Sequence, residues 1–275
     1  MDAGNVNLQI LSHGPITASP QACRDANDEL AEACRKNPKR FAGFAQLPMQ
    51  EPAAAADELE RAVKELGFVG ALVNNHISGT FYDDEKFWPV FERAIKLDVP
   101  MYLHPTFPSD DMLEHYKGNF PDSAGFSMSI AGWGWHTETG LHILRLFASG
   151  FFDKFPTAKI IIGHMGEMLP FALDRIEPIS KTWGKRERDI KTIWRDNVWV
   201  TTSGYFSLAP LSCLLRMSPI DKILYSVDYP FASNEKGLAF VKEMQESDLV
   251  NDEQLELICH GNAEKLLKVK AETWV

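Results

Sequence analysis

Residues 158–167 read AKIIIGHMGE. Three consecutive isoleucines between a lysine and a glycine are too short a run for a helix and too uniformly apolar for a strand with one wet face. The segment therefore predicts a short strand buried on both sides, ended by Gly163 and followed at once by His164 and Glu167. Amphipathic helical segments flank it, at about 137–152 before and 169–179 after. A buried strand between two helices is the repeating unit of a parallel sheet covered on both faces.

The same punctuation recurs along the chain. Residues 99–104 (VPMYLH) end in His104, and residues 222–228 (KILYSVD) end in Asp228. Residues 7–11 (NLQIL), 41–47 (FAGFAQL), 68–74 (FVGALVN) and 198–203 (VWVTTS) bring the strands to seven. Between them lie helical stretches at about 20–35, 84–97 and 208–217, and two more close the chain, the second at 262–267. In one further helix Ala55, Leu59, Ala62, Val63 and Leu66 share a face, and Gly67 stands where its C-terminus needs a left-handed residue. The pattern predicts an α/β fold, a (β/α)8 barrel of the TIM type one strand short of eight. No linker or internal repeat divides it, so residues 1–275 read as a single domain whose first βα unit is missing.

Composition narrows the function. The chain carries 28 basic and 38 acidic side chains, a formal charge of -10, which argues against nucleic acid as a partner. No apolar run approaches the roughly 18 residues of a membrane helix, and the N-terminal MDAGNVNLQILSHGP does not read as a signal peptide. Cys23, Cys34, Cys213 and Cys259 show no CxxC spacing, so reduced thiols and a cytoplasmic location are expected. GxGxxG after the first strand, GxxxxGK[ST] and GxSxG are all missing, which leaves dinucleotide, P-loop and serine-hydrolase chemistry without support.

In a parallel barrel every C-terminal strand end lies on the face that holds the active site. His104, His164 and Asp228 are thus expected to converge, and two imidazoles with a carboxylate suit a divalent metal such as Zn²⁺ or Mn²⁺. One histidine at a strand end is commonly a hydrogen-bonded core residue; three ionisable residues at equivalent ends point to a functional cluster. Glu167 fits two readings equally. It accepts the His164 proton and fixes its tautomer, or it is a first-turn acid favoured by the following helix dipole. Arg175 suits a bidentate carboxylate clamp, although spacing alone reads as a solvated helix arginine. His76, after Asn74 and Asn75, reads as a loop histidine with access to the same face. His136 and His142 bracket a helix start, His142 reading as structural, and His13, His115 and His260 have no supporting pattern. The aromatic stretch 126–135 is read either as a pocket roof or as ordinary loop packing.

Several stretches together resemble a known family: GALVNN (70–75), FYDDEKFWPVFERAIKLDVPMYLHP (81–105), GFFDKFPTAKIIIGHMGEMLPFALDRI (150–176), NVWVTTSG (197–204), ILYSVDYPF (223–231) and GNAEKLL (261–267). They resemble the amidohydrolase-related decarboxylases typified by aminocarboxymuconate-semialdehyde decarboxylase, and more closely its 2,3-dihydroxybenzoate, γ-resorcylate, salicylate and orsellinate branch. The resemblance implies a (β/α)8 barrel and one divalent metal ion, zinc first with manganese or magnesium as alternatives, and no organic cofactor. It implies that the metal holds the substrate carboxylate and adjacent hydroxyl while a proton reaches the ring carbon and CO2 departs. By motif, His104 matches a metal ligand, Asp228 a ligand and acid–base group, and His164 with Glu167 the catalytic pair. With the strand-end reading the expected metal set is His104, Asp228 and His164, and Arg175 and Asn74 are the expected substrate-binding residues. Arg175 matches a residue that reaches a neighbouring subunit's site, which implies a homodimer or homotetramer. The family's first-strand Glu-x-His or His-x-His is not found near residue 1, so weaker metal binding is expected.

The function expected is metal-dependent, nonoxidative decarboxylation of a small hydroxylated benzoic acid, with neither nucleic acid nor membrane as partner. Metal-assisted hydrolysis of a lactone or amide is the alternative enzyme reading. A catalytically impaired homologue acting as partner or scaffold is the third.

Overall fold

Strands form where β-branched and apolar residues run together, and the computed structural model, which describes residues 1–14 and 16–271, shows each expected run shortened at its ends. The strands are β1 (Gln9–Leu11), β2 (Phe41–Gly43), β3 (Ala71–Asn74), β4 (Met101–His104), β5 (Ile160–Ile162), β6 (Val198–Thr201) and β7 (Ile223–Leu224). Every pairing between these strands is parallel. β1 pairs with β2, and β3 to β7 follow one another in sequence order in a second ladder. A parallel bridge from Ala45 to Ala71 joins the two, so the described strands wind 1 to 7 around a TIM-type α/β barrel.

Eight helices of eight or more residues are described: α1 (Pro20–Lys36), α2 (Pro52–Lys64), α3 (Trp88–Leu97), α4 (Gly134–Ala148), α5 (Leu169–Ser180), α6 (Ile190–Asn197), α7 (Leu208–Met217) and α8 (Asn234–Glu246). Their starts are chemically marked. Ser19 caps α1 ahead of Pro20, and the Asp189 carboxylate accepts the Thr192 amide at 2.7 Å to cap α6. The helix expected at 137–152 is two pieces, because Gly150 at φ +84° breaks it between α4 and the short turn Phe151–Lys154. The stretch 126–135 is not a plain loop. Helix Asp122–Ser127 runs into a wide turn, Met128–Gly132, before α4 begins. Helix α6 was not expected, although Ile190, Ile193, Trp194 and Asn197 form an inward face at i, i+3, i+4, i+7.

Side chains alternate along each strand, and the parity sorts the core. Ala71, Val73, Leu103, Ile160, Ile162 and Val200 pack outward under the helices. Leu72, Ile161, Leu224 and Phe44 turn into the barrel, where Leu266 and Leu267 of the closing helix Asn262–Leu267 meet them. By the same parity Asn74, Tyr102 and His104 face the barrel interior, and Asn74 lies beside His104 in the register. Outside the strands, Phe151 sits at 5.0 Å from Phe91, 5.1 Å from both Phe152 and Phe155, and 5.9 Å from Trp88. Phe151→Ala empties the centre of that aromatic group and is expected to cost about 3–5 kcal/mol, read as a lower urea midpoint. None of the cysteines is disulfide-bonded, and no described helix is long and apolar enough to cross a membrane.

Candidate active site at the C-terminal strand ends

His104 ends β4 with its Nδ1 2.7 Å from the Pro105 carbonyl oxygen. Nδ1 therefore carries the hydrogen, and Nε2 keeps its lone pair. Burial holds this imidazole below the usual histidine range despite the opposing pull of Pro105 and the nearby carboxylates, so His104 is neutral and able to act as a ligand. Beside it, Asn74 is 6% exposed and its Oδ1 has no hydrogen-bond partner. A buried amide oxygen without a donor carries an unmet desolvation cost that a ligand can relieve.

The chain leaving β5 does something the sequence spacing does not announce. His164, Met165, Gly166, Glu167 and Met168 all have positive φ, from 49° to 90°. Four of them are not glycine, and such residues store roughly 1–3 kcal/mol each, strain that collects where function over-determines the backbone. Helix α5 starts only at Leu169, so Glu167 is not its first-turn acid. Instead the carboxylate is turned inward and is 1% exposed. Its Oε1 accepts from His164 Nδ1 at 2.7 Å, and its Oε2 accepts from His136 Nδ1 at 2.8 Å.

The charges balance within this group. Burial alone would raise the Glu167 carboxyl, but the two imidazoles outweigh it and hold it below the ordinary carboxylate range. Burial alone would lower His164, but Glu167 and the Asp228 charge outweigh it and hold the imidazole above its ordinary value. With Nδ1 committed, His164 offers Nε2. A Cβ built on Gly204, φ +72°, would stand 4.0 Å from both His164 Nε2 and Asp228 Oδ2. That bare Cα borders a space which the imidazole and the carboxylate share. Asp228, at φ 66°, ends the segment after β7 in a left-handed conformation that aspartate tolerates better than most residues.

The structure thus brings together His104, His164, Glu167 and Asp228, with Asn74 alongside. His136, which the sequence left without a role, joins them. No spacing rule links it to Glu167 across 31 residues. A faint trace is Gly140 one helical turn on, whose Cβ would fall 2.6 Å from the Glu167 carbonyl oxygen. His142 is structural as expected: its Nε2 accepts the Tyr82 amide, its Nδ1 donates to Asn75 Oδ1, and burial pushes it down to about 3. Arg175 is exposed on α5, outside the buried group of its own chain. Ligand atoms of His136, His164 and Glu167 all lie within 4.8 Å of one another. Both Nδ1 atoms are spent on the carboxylate, however, so these three form a hydrogen-bonded chain, and the open donors are His104 Nε2, His164 Nε2 and Asp228.

Above the strand ends a cavity of about 360 Å³ is lined by Thr17, His76, Ser78, Thr106, Phe107 and Ser109 among others. Phe107 stacks on Phe126 at 6.3 Å and meets Trp135 edge-on at 5.8 Å, which ties the aromatic stretch to this rim.

A family profile described as Amidohydrolase matches residues 1–269. The chain is 50% identical over 276 residues to the decarboxylase orsB of Emericella nidulans, covering 98% of this chain and 83% of that one. A dihydroxybenzoic acid decarboxylase from Polaromonas sp., solved with manganese and the inhibitor 2-nitroresorcinol, superposes with a TM-score of 0.85 at 37% identity, over 98% of this chain and 83% of that one. A 5-carboxyvanillate decarboxylase from Novosphingobium aromaticivorans, solved with manganese and a nitrobenzoic acid, gives a TM-score of 0.89 at 31% identity, over 98% of this chain and 78% of that one.

Proposed function

The chain belongs to the amidohydrolase family, and we propose that it is a metal-dependent, nonoxidative decarboxylase of a hydroxylated benzoic acid. The observation that carries this reading is the juxtaposition of a strained, buried His164–Glu167 pair with Asp228 across the open side of Gly204, beside a ligand-ready His104. The donor set suits a divalent cation. His104 Nε2 keeps a free lone pair, His164 Nε2 and the Asp228 carboxylate border one space at Gly204, and the orphaned Asn74 oxygen stands next to His104. His104 and Asp228 would hold the ion, manganese in preference to zinc by the company of the Polaromonas and Novosphingobium enzymes. When bound, it supplies positive charge for the substrate carboxylate and the neighbouring phenolate oxygen.

The remaining work falls to the chain's own groups. The Asn74 Oδ1 accepts a ring hydroxyl and so sets the orientation of the ring. Asp228, as the acid, gives its proton to the ring carbon that bears the carboxylate. The bond from that carbon to the carboxylate then breaks, CO2 leaves, and its electron pair restores aromaticity. Asp228, left as carboxylate, regains a proton from solvent, and His164 Nε2 faces the same space. That nitrogen has one lone pair and serves either a cation or a proton. The Glu167 and Asp228 charges that raise its proton affinity favour the proton.

Met168, Phe171, Arg175 and Ile179 are all exposed on one side of the α5 segment, with Phe171 at 85%. An apolar stripe of this kind around an arginine supports a homodimer or homotetramer in which Arg175 meets the carboxylate bound in a neighbouring chain. The unpaired thiols support a cytoplasmic location.

The test is CO2 release from salicylate, orsellinate and the dihydroxybenzoates by the manganese-supplemented protein. The reading expects one CO2 and one phenol per acid consumed for at least one of them. Failure of every acid to yield CO2 overturns it.

A further inference from the structure

We infer that His136 is a positioning residue for the proposed reaction: by holding the second oxygen of Glu167 it fixes the His164 tautomer that presents Nε2 to Asp228. The inference rests on the decarboxylase reading for its kinetic consequence, but not for its structural one.

Four contacts converge on this histidine. Its Nδ1 donates to Glu167 Oε2 at 2.8 Å, while its Nε2 lies 3.2 Å from the Ala131 carbonyl oxygen in the wide turn that precedes α4. Its ring packs edge-on against His164 at 4.7 Å and against Tyr205 at 5.2 Å. The helix that carries it is built to come this close. Gly134 has no room for a Cβ, which would fall 2.2 Å from the Ser129 carbonyl oxygen, and Gly140 lies against the Glu167 backbone one turn after His136. His142, six residues on along the same helix, contrasts with it: its partners are a backbone amide and Asn75.

The physical consequence follows from burial. Glu167 has two oxygens and, in a dry site, each needs a donor. With His136 in place one oxygen is pinned, and the carboxylate plane can turn only so as to meet His164 Nδ1. That bond keeps a hydrogen on Nδ1 and makes Nε2 the nitrogen that takes up and gives back a proton at Asp228, as carboxylates behind working histidines do elsewhere. Without His136 the freed oxygen competes for the His164 proton or draws in water, and the carboxylate loses its single orientation.

Two near-isosteric substitutions separate positioning from mere filling. His136→Asn places an amide N–H where Nδ1 stood; His136→Gln places it where Nε2 stood and cannot reach Glu167 in the same way. Positioning predicts that His136→Gln lowers kcat by about 10–100-fold with KM within about twofold, whereas His136→Asn stays within about threefold of wild type. In a Glu167→Gln background the His136→Gln loss shrinks to less than about twofold, because its route of action is already gone. Nitrogen-15 NMR of the His164 ring, recorded at a pH where the imidazole is neutral, supplies a readout independent of turnover: an Nδ1–H tautomer in wild type and His136→Asn, mixed tautomers in His136→Gln. Equal activity and equal tautomer in the two variants, or an undiminished loss in the Glu167→Gln background, overturns the inference. A wild-type protein that releases no CO2 counts against the decarboxylase reading, and the NMR comparison still decides the role of His136.

Discussion

Asp228→Asn is expected to lower turnover of a hydroxybenzoate by about 10²–10⁴-fold, the usual contribution of a positioned proton donor. The substitution is nearly isosteric, and asparagine accepts the left-handed backbone that Asp228 adopts at φ 66° at least as readily. The fold around β7 therefore survives, and a melting curve close to wild type is part of the expected result. What is lost is chemical. An amide neither carries the proton to the ring carbon nor offers a cation the charge of a carboxylate, and His164 loses one of the two negative neighbours that raise its proton affinity. Full activity in Asp228→Asn would place the proton on another group.

Stripping divalent cations with a chelator is expected to reduce turnover by at least about 100-fold, with recovery on adding manganese. Binding to the folded chain alone also stabilises it, by about 2.7 kcal/mol at a hundredfold excess over Kd, so the melting temperature should rise with added Mn²⁺. His104→Ala tests which side chain is responsible. Burial keeps His104 neutral and Pro105 ties up its Nδ1, so Nε2 is the atom offered. In His104→Ala the manganese-dependent rise should vanish or move to much higher concentration, measured from that variant's own metal-free melting temperature, which the lost buried side chain lowers. An equal rise in wild type and His104→Ala would move the cation elsewhere.

The strand ends were legible because buried parallel strands leave a plain trace: a few apolar, β-branched residues closed by a turn. His104, His164 and Asp228 stand at those closures, and strand parity then turns Asn74 and His104 inward. Helix α6 leaves little trace in the sequence because only eight residues carry it and most of them are polar, so its inward face is narrow. The helix expected at 137–152 stops at Ala148 because Gly150, at φ +84°, turns the chain out of the helix, which apolar periodicity alone does not reveal. Glu167 was ambiguous for a deeper reason. Three residues after a histidine suggests one helical turn, whereas the chain runs through five residues of positive φ that periodicity cannot anticipate. His136 was out of reach altogether, since its meeting with Glu167 depends on how α4 leans on the turn after β5, and on the two glycines, Gly134 and Gly140, that let it lean.

The most direct test of the account is the reaction run in D2O with manganese-loaded protein and an accepted hydroxybenzoate, followed by NMR of the phenol and quantification of CO2. Nonoxidative decarboxylation through a proton donor predicts one CO2 per acid and one deuterium in the phenol, at the ring carbon that lost the carboxylate. Consumption of the acid without CO2, or a product that keeps its carboxylate, would contradict it.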